Sequence, residues 1–435
     1  MTDTDQHFRC PLAAIDRRLE QVHQHWHEAE QAYFHPQRFL VAIQTAIQTL
    51  RTVTFILQSN KRLFPQFDAW YDPWQQKLKA DPLMKWMVDA RNKIEKVGDL
   101  EMHSFVRAEI MASYYNDGPR QDVPAELFQS PKELICSMSN DAFRAHAFKD
   151  GVLRLQRRWV ENTLPDFELL DAVAIAYGKL SELVDDAHRQ LGLSTPLTTG
   201  CEEEDHEAAR IARGGRLRCM IGHGDVRTQN VWLATGDAME LKQTRVEFDK
   251  NVAEKAAKQW KLKPRQPVSI AQPIDLMDEL FDTARQMITA SGYHDTIAFL
   301  LHGKKPVGIV QLAAQEHGEK YLLLRNLAHE VLKRGADGVI LMGEIWKAPF
   351  DPTQPYRRAA EAPVKEEYLS AWLVTKEGDP VYRCAKILRK GKKLGLGETE
   401  TYTDQAPIIL SPVYEAWGRQ IPPAWSDGLK ARDGA

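Results

Sequence analysis

The stretch Asp81–Gly98, DPLMKWMVDARNKIEKVG, reads as one complete helix with both ends specified. Asp81 offers a side-chain oxygen to the first unpaired N–H groups, Pro82 suits the first turn, and Gly98 stands where a cap closes the last. Between them Leu83, Met87, Ala90, Ile94 and Val97 recur at three- and four-residue steps, which predicts one buried stripe.

The pattern extends upstream. After Pro11, the residues Leu12, Ile15, Leu19, Val22, Trp26, Ala29 and Tyr33 form a second stripe. Past the break at His35-Pro36, a third runs through Phe39, Ile43, Ile47, Leu50, Val53 and Leu57, so the first two helices read as an antiparallel pair. A Trp-rich segment with Trp70, Tyr71 and Trp74 separates them from Asp81. Downstream, Val106, Ala108, Ile110, Ala112 and Tyr114 alternate as in a strand, and a long helix opens at Pro165, carries Leu169 to Leu191 and stops at Gly192.

From Ser194 to Glu207 the chain turns to Ser, Thr, Pro and Gly and then to the acidic run Glu202–Asp205, which supplies no core. The expected division is a mainly helical domain over 1–195, an acidic linker over 196–212, a β-rich connecting segment over 213–265 and an α+β domain over 266–430. The connecting segment offers strands at 217–221, 228–233 and 241–248. The last domain reads as a helix over 273–291, strands over 296–301 and 307–312, a helix over 320–333, and strands over 339–346, 368–375 and 381–388. The fold class is therefore α+β in two domains, a helical bundle followed by an antiparallel sheet with helices on one face. The order α-β-β-α-β-β-β resembles the roadblock or profilin-like layout, a likeness of topology only.

Composition excludes some classes of function. Lys and Arg number 57 against 60 Asp and Glu, a net charge of -3, so any contact with nucleic acid must be a local patch. Cys10, Cys136, Cys201, Cys219 and Cys384 lie far apart with no C-x-x-C pair, which argues against a zinc knuckle or a disulfide framework. The start, MTDTDQHFRC, lacks the basic-then-apolar order of a signal peptide, and apolar runs such as 169–177 are interrupted and short. A soluble, cytoplasmic protein without membrane segment or cofactor is expected.

Within the opening helix, Arg91-Asn92-Lys93-Ile94-Glu95-Lys96 beside the apolar stripe resembles the motif of the HEPN family: an Arg, a polar residue, three variable residues and a His. Here Lys96 takes the place of that His. The resemblance, over roughly residues 10–100, implies a helical fold that dimerises and a site made of Arg91, Asn92 and Lys96. An amine in place of imidazole holds phosphate but accepts a proton poorly at neutral pH, so cleavage of RNA would be lost or altered. His103 is the imidazole nearest in sequence, and the bland alternative is a solvated face with an Arg91–Glu95 pair.

Other constellations are less specific. His223-Gly-Asp225-Val-Arg-Thr-Gln-Asn230, with Glu247-Phe248-Asp249 beyond it, resembles the catalytic loop of aminoglycoside-phosphotransferase-type kinases, which would make Asp225 a base and Asn230 a metal ligand. The order of elements around it disagrees with that family. His23, His25 and His27 with Glu30 suggest a metal site, but no second cluster completes a ligand set, and a solvated helix face is expected. Lys250, Lys255, Lys258, Lys261, Lys263 and Arg265 around Trp260, and Arg389-Lys390-Gly391-Lys392-Lys393, are candidate phosphate contacts, with Lys255, Lys258, Lys261, Lys390, Lys392 and Lys393 foremost. Glu344 lies in an apolar strand, with Arg357-Arg358 expected to neutralise it. The expectation is a dimeric regulatory or nucleic-acid-associated protein, related to bacterial defence or stress, that contacts RNA through local basic patches. The alternatives are a ribonuclease using Arg91 with another partner, a dimerisation scaffold, or a phosphotransferase using Asp225.

Overall fold

A computed structural model describes residues 10–115, 120–123, 130–137, 149–193, 207–239, 241, 255, 258, 269–354, 357–390 and 393–421. The chain divides into two compact units. The first is drawn from Met1–Glu109, Arg120–Ala142 and Leu153–Met239, the second from Ile110–Pro119, Phe143–Val152 and Glu240–Ala435. The first unit thus runs past the acidic stretch, where the sequence placed a linker and a separate connecting segment.

In the first unit, α1 (Ala13–Gln31) and α2 (Pro36–Ser59) meet across the break at His35-Pro36 and bury their stripes in one core. By length and composition alone α2 is apolar enough to cross a bilayer; here Phe39, Ile43, Ile47, Leu50, Val53 and Leu57 are buried among the other helices. The Trp-rich segment is itself a helix, α3 (Phe67–Ala80). In α4 (Pro82–Lys96) the Asp81 carboxylate accepts from the N–H groups of Leu83 and Met84 at 3.0 and 3.2 Å, and Val97 and Gly98 return their N–H groups to the Lys93 carbonyl. The stripe differs at its end from the expected one. Met84 and Trp86 are buried with Leu83, Met87 and Ala90, whereas Val97, past the last turn, is 81% exposed.

The unit also holds a five-stranded sheet, of which the sequence offered the strands near 106–114 and 228–233. It is built from β1 (Met102–Met111), β2 (Arg120–Val123), β3 (Val152–Glu161), β4 (Arg227–Trp232) and β5 (Ala238–Met239) in the order β2-β1-β3-β4-β5. Between them lie α5 (Pro131–Ser137), the long α6 (Leu169–Gln190) and α7 (Glu207–Ala212). Residues expected as a strand over 217–221 form a 3-10 turn, Arg218–Met220, and all but one of those over 241–248 lie outside the described residues.

The second unit follows the expected order closely. Helix α8 (Pro273–Ser291) starts with a capping box between Gln272 and Asp275 and ends at Gly292, whose φ of 89° suits only glycine. The hairpin β6 (Ile297–His302) and β7 (Lys305–Gln311), helix α9 (His317–Lys333) and strands β8 (Gly338–Lys347), β9 (Glu366–Thr375) and β10 (Val381–Lys390) come next. A polar strand, β11 (Lys393–Tyr402), and a short helix, α10 (Ser411–Ala416), complete it. The sheet is antiparallel in the order β11-β10-β9-β8-β6-β7.

Helices cover both faces of this sheet, not one. Alternate residues of a strand point to opposite faces, and those of β8 separate accordingly: Val339 and Leu341 pack with Leu327 and Val331 of α9, Ile340 and Met342 with Met277 and Phe281 of α8. The unbroken apolar run of β8 is what a doubly covered strand requires. The chain's earlier segments also serve this unit. Tyr114 lies 5.1 Å from the Tyr321 ring, and Arg325 donates to the carbonyls of Ser113 and Tyr115 at 3.3 and 2.8 Å.

Because both faces are loaded, Phe281→Ala and Leu327→Ala should each destabilise the second unit, by about 3–5 and 2–5 kcal/mol. Urea denaturation measures this. An unaffected Leu327→Ala would restrict the core to one face.

Candidate functional site

Arg91 projects from α4 toward α2. Its guanidinium pairs with Glu95 at 2.7 Å, donates to the Asn92 side chain at 3.2 Å and lies 5.7 Å from the Phe55 ring centroid. On α2, one turn before Phe55, Arg51 covers the same ring at 4.4 Å and donates to Thr54 at 2.6 Å. Burial pulls the Arg51 guanidinium below its usual range; Tyr71 opposes the shift and the like charge of Arg91 adds to it. Phe55 itself is 40% exposed. Beside this stack a cavity of about 340 Å³ opens between helices, lined by Arg51, Gln58, Tyr71, Gln75, Lys79 and Lys85 among others. Gln58 donates to the Tyr71 hydroxyl at 2.9 Å on its wall.

The three residues of the HEPN-like motif are thus divided. Arg91 and Asn92 are half-buried and bonded to each other, Lys96 is exposed at the helix end, and His103 belongs to β1. The Arg91–Glu95 pair of the bland alternative is present. Sequence reasoning missed Phe55 and Arg51, because an aromatic and an arginine four apart on a core helix carry no signal until α4 brings Arg91 alongside.

The phosphotransferase residues do not assemble. Asp225 is exposed on the bend before β4, Asn230 lies within β4 opposite Met239, and Asp249 lies outside the described residues. Of the first basic tract, Lys255 and Lys258 are exposed, while Lys250, Trp260, Lys261, Lys263 and Arg265 lie outside the described residues. In the second tract, Lys390 and Lys393 are paired across the β10–β11 turn, and Gly391 and Lys392 lie outside the described residues. Arg389 is held by both oxygens of Glu367 at 2.7 and 2.9 Å. It is therefore a structural cation, and it rather than Arg357 or Arg358 faces Glu344, at 3.7 Å. Arg357 pairs with Asp351 at 3.2 Å, and Arg358 pairs with Asp150. Burial pushes the Glu344 carboxyl up, against a hydrogen bond from the His294 N–H.

The histidines of α1 are not a solvated face. His23 is 6% exposed, and burial, followed by the charge of His27, pulls its imidazole down to about 4. It meets Cys219 from the 3-10 turn after α7, across 196 residues of sequence. His25 alone points outward, to Glu28 at 2.9 Å.

A family model described as Bacteriophage lambda protein ea47 matches residues 4–431. The chain belongs to the phage lambda Ea47 family. Protein ea47 of Escherichia phage lambda is 26% identical over 403 residues, covering 89% of this chain and 93% of that protein. No solved structure matches. In this Ea47-family chain the match spans both units.

Since the Arg91–Glu95 pair is partly exposed and one turn apart on a helix, it contributes little to stability, about 0.3–0.5 kcal/mol. Glu95→Ala should shift the denaturation midpoint only slightly. A large loss would make the pair a structural element and remove Arg91 from consideration as a ligand-facing group.

Proposed function

We propose that this Ea47-family chain is a cytoplasmic regulatory protein that binds single-stranded RNA through its helical unit and does not cleave it. The observation that carries this reading is Phe55, exposed on α2 with one guanidinium at 4.4 Å and another at 5.7 Å. Two guanidinium groups are held close to one aromatic ring, where a phosphate can pair with either, competing with Glu95 for Arg91. Such a ring accepts a stacked base of any identity while the flanking cations hold the backbone. The adjoining cavity, with Gln58, Gln75, Lys79 and Lys85 on its wall, offers room and polar groups for a neighbouring nucleotide.

The residues present support a reading without cleavage. Arg91 already pairs with Glu95, and Lys96 stands where the HEPN-like motif has its imidazole. Cations at these positions hold phosphate, but taking a proton from a ribose hydroxyl needs a base in reach. The likeness to a phage protein fits a regulatory or defence-related product.

Fluorescence anisotropy with a labelled single-stranded oligoribonucleotide tests the reading. Phe55→Ala should weaken binding by about 1–3 kcal/mol, and Arg51→Ala or Arg91→Ala should each lower the slope of log affinity against log salt by roughly one. The RNA should stay intact. Binding indifferent to Phe55→Ala, or efficient cleavage that depends on Arg91, would overturn it, the second in favour of a ribonuclease.

A further inference from the structure

A different observation, independent of the RNA reading, joins α1 to the 3-10 turn after α7 in the same unit. His23 and His27 are four apart on α1 and share one face, and their Nε2 atoms stand 3.0 Å apart. The Sγ of Cys219 lies 3.1 Å from the His23 Nε2, and the three atoms all fall within 4.8 Å of one another. Two imidazole nitrogens and a thiol sulfur converging on one point make a ligand set. A tetrahedral zinc ion, with Zn–N of about 2.0–2.1 Å and Zn–S of about 2.3 Å, spaces its ligands by roughly 3.3–3.6 Å. Both distances from the His23 Nε2 fall within about half an ångström of that spacing.

The surroundings are those of a built site. The Nδ1 of His27 bonds to Glu30 at 2.9 Å, which leaves its Nε2 lone pair aimed at Cys219 and His23. Glu30 is in turn held by Arg227 at 3.1 Å. A carboxylate behind a ligating histidine fixes its tautomer and raises its basicity. The turn that carries Cys219 is pinned from its other side, where His223 bonds to the Cys219 carbonyl at 2.9 Å. The indole of Trp26 closes one wall, 5.1 Å from the His27 ring and 4.9 Å from that of His223.

We propose that His23, His27 and Cys219 form a zinc site that ties α1 to the 218–220 turn, with Glu30 and Arg227 as the positioning residues behind it. A thiolate with two imidazoles selects zinc over the oxygen-seeking magnesium and calcium. Three protein ligands leave the fourth position to water. On binding, the thiol gives up its proton to solvent and the metal takes the sulfur lone pair. The sequence offered His23 and His27 but not the ligand that completes them, because Cys219 lies 196 residues from His23.

The test uses the full chain, purified without chelator. Elemental analysis should give about one zinc per chain, and replacement by cobalt(II) should give a thiolate-to-metal charge-transfer band. Cys219→Ser should abolish that band, and His27→Gln should abolish stoichiometric zinc, with far-UV circular dichroism showing the helices retained. Glu30→Gln keeps every ligand, so it reports on the site even where a ligand variant fails to fold; it should weaken zinc binding about 10–100-fold in competition with a chromophoric chelator. A folded wild type that binds no zinc, or a cobalt band that survives Cys219→Ser, would overturn the proposal. Affinity unchanged by Glu30→Gln would overturn the role given to the positioning pair.

Discussion

The first unit depends on the burial of Trp26. The indole is fully buried, its N–H donates to the Leu170 carbonyl at 2.8 Å, and so it fixes both the depth and the rotation of α1 against the start of α6. A buried indole N–H without its acceptor would cost about 1–3 kcal/mol, so the bond selects one register among the several that an apolar stripe alone would tolerate. Residues three before and one after it, His23 and His27, are thereby turned toward Cys219. A second indole repeats the device. Trp159 of β3 donates to the Tyr33 carbonyl at 2.9 Å and stacks on Phe39 at 4.9 Å, locking the α1–α2 corner onto the sheet.

The segment that brings Cys219 to α1 is docked on α6 by polar and backbone contacts. Arg210 pairs with Asp185 at 3.3 Å where both are buried, and Arg216 pairs with Asp171 at 3.3 Å. Breaking a buried pair by deleting one partner costs about 3–5 kcal/mol, so Arg210 is a strong anchor once formed even though the pair need not add net stability. Backbone meets backbone at Gly178, where any Cβ would collide with the Gly214 carbonyl, and Gly215 at φ 74° is held against Gly178 in the same way. These contacts explain why the first unit extends to Met239. The acidic stretch marks a change of composition, but the residues after it belong to the same core.

Where structure is decided locally, it was legible. The Asp81 cap, the Gly98 stop and the limits of α8 follow from groups that bond within one turn, and the run Val339–Met342 declared a buried strand by itself. What escaped had its partners elsewhere. The helix α3 was hidden because Trp70 and Trp74 spend their indole N–H groups on Asp186, over a hundred residues away, and so do not repeat as an apolar stripe. The strand β3 was hidden by Arg154, Arg157 and Arg158, although Arg157 is 1% exposed and lies over the Trp159 ring. The polar edge strand β11 pairs with β10 through its backbone, which composition does not report. Likewise Arg389 reads as a free cation in sequence and is a clamped one in the fold.

The central claim is that the register set by Trp26 assembles nitrogen and sulfur ligands from distant segments at a single point. X-ray absorption spectroscopy at the zinc edge of the loaded full chain examines that point directly. It should show a mixed shell, with one sulfur at about 2.3 Å and two imidazole nitrogens at about 2.0–2.1 Å. A shell of oxygen and nitrogen alone, or one with several sulfurs, would mean that Cys219 does not meet His23 and His27 as described, and the account of the first unit would fail with it.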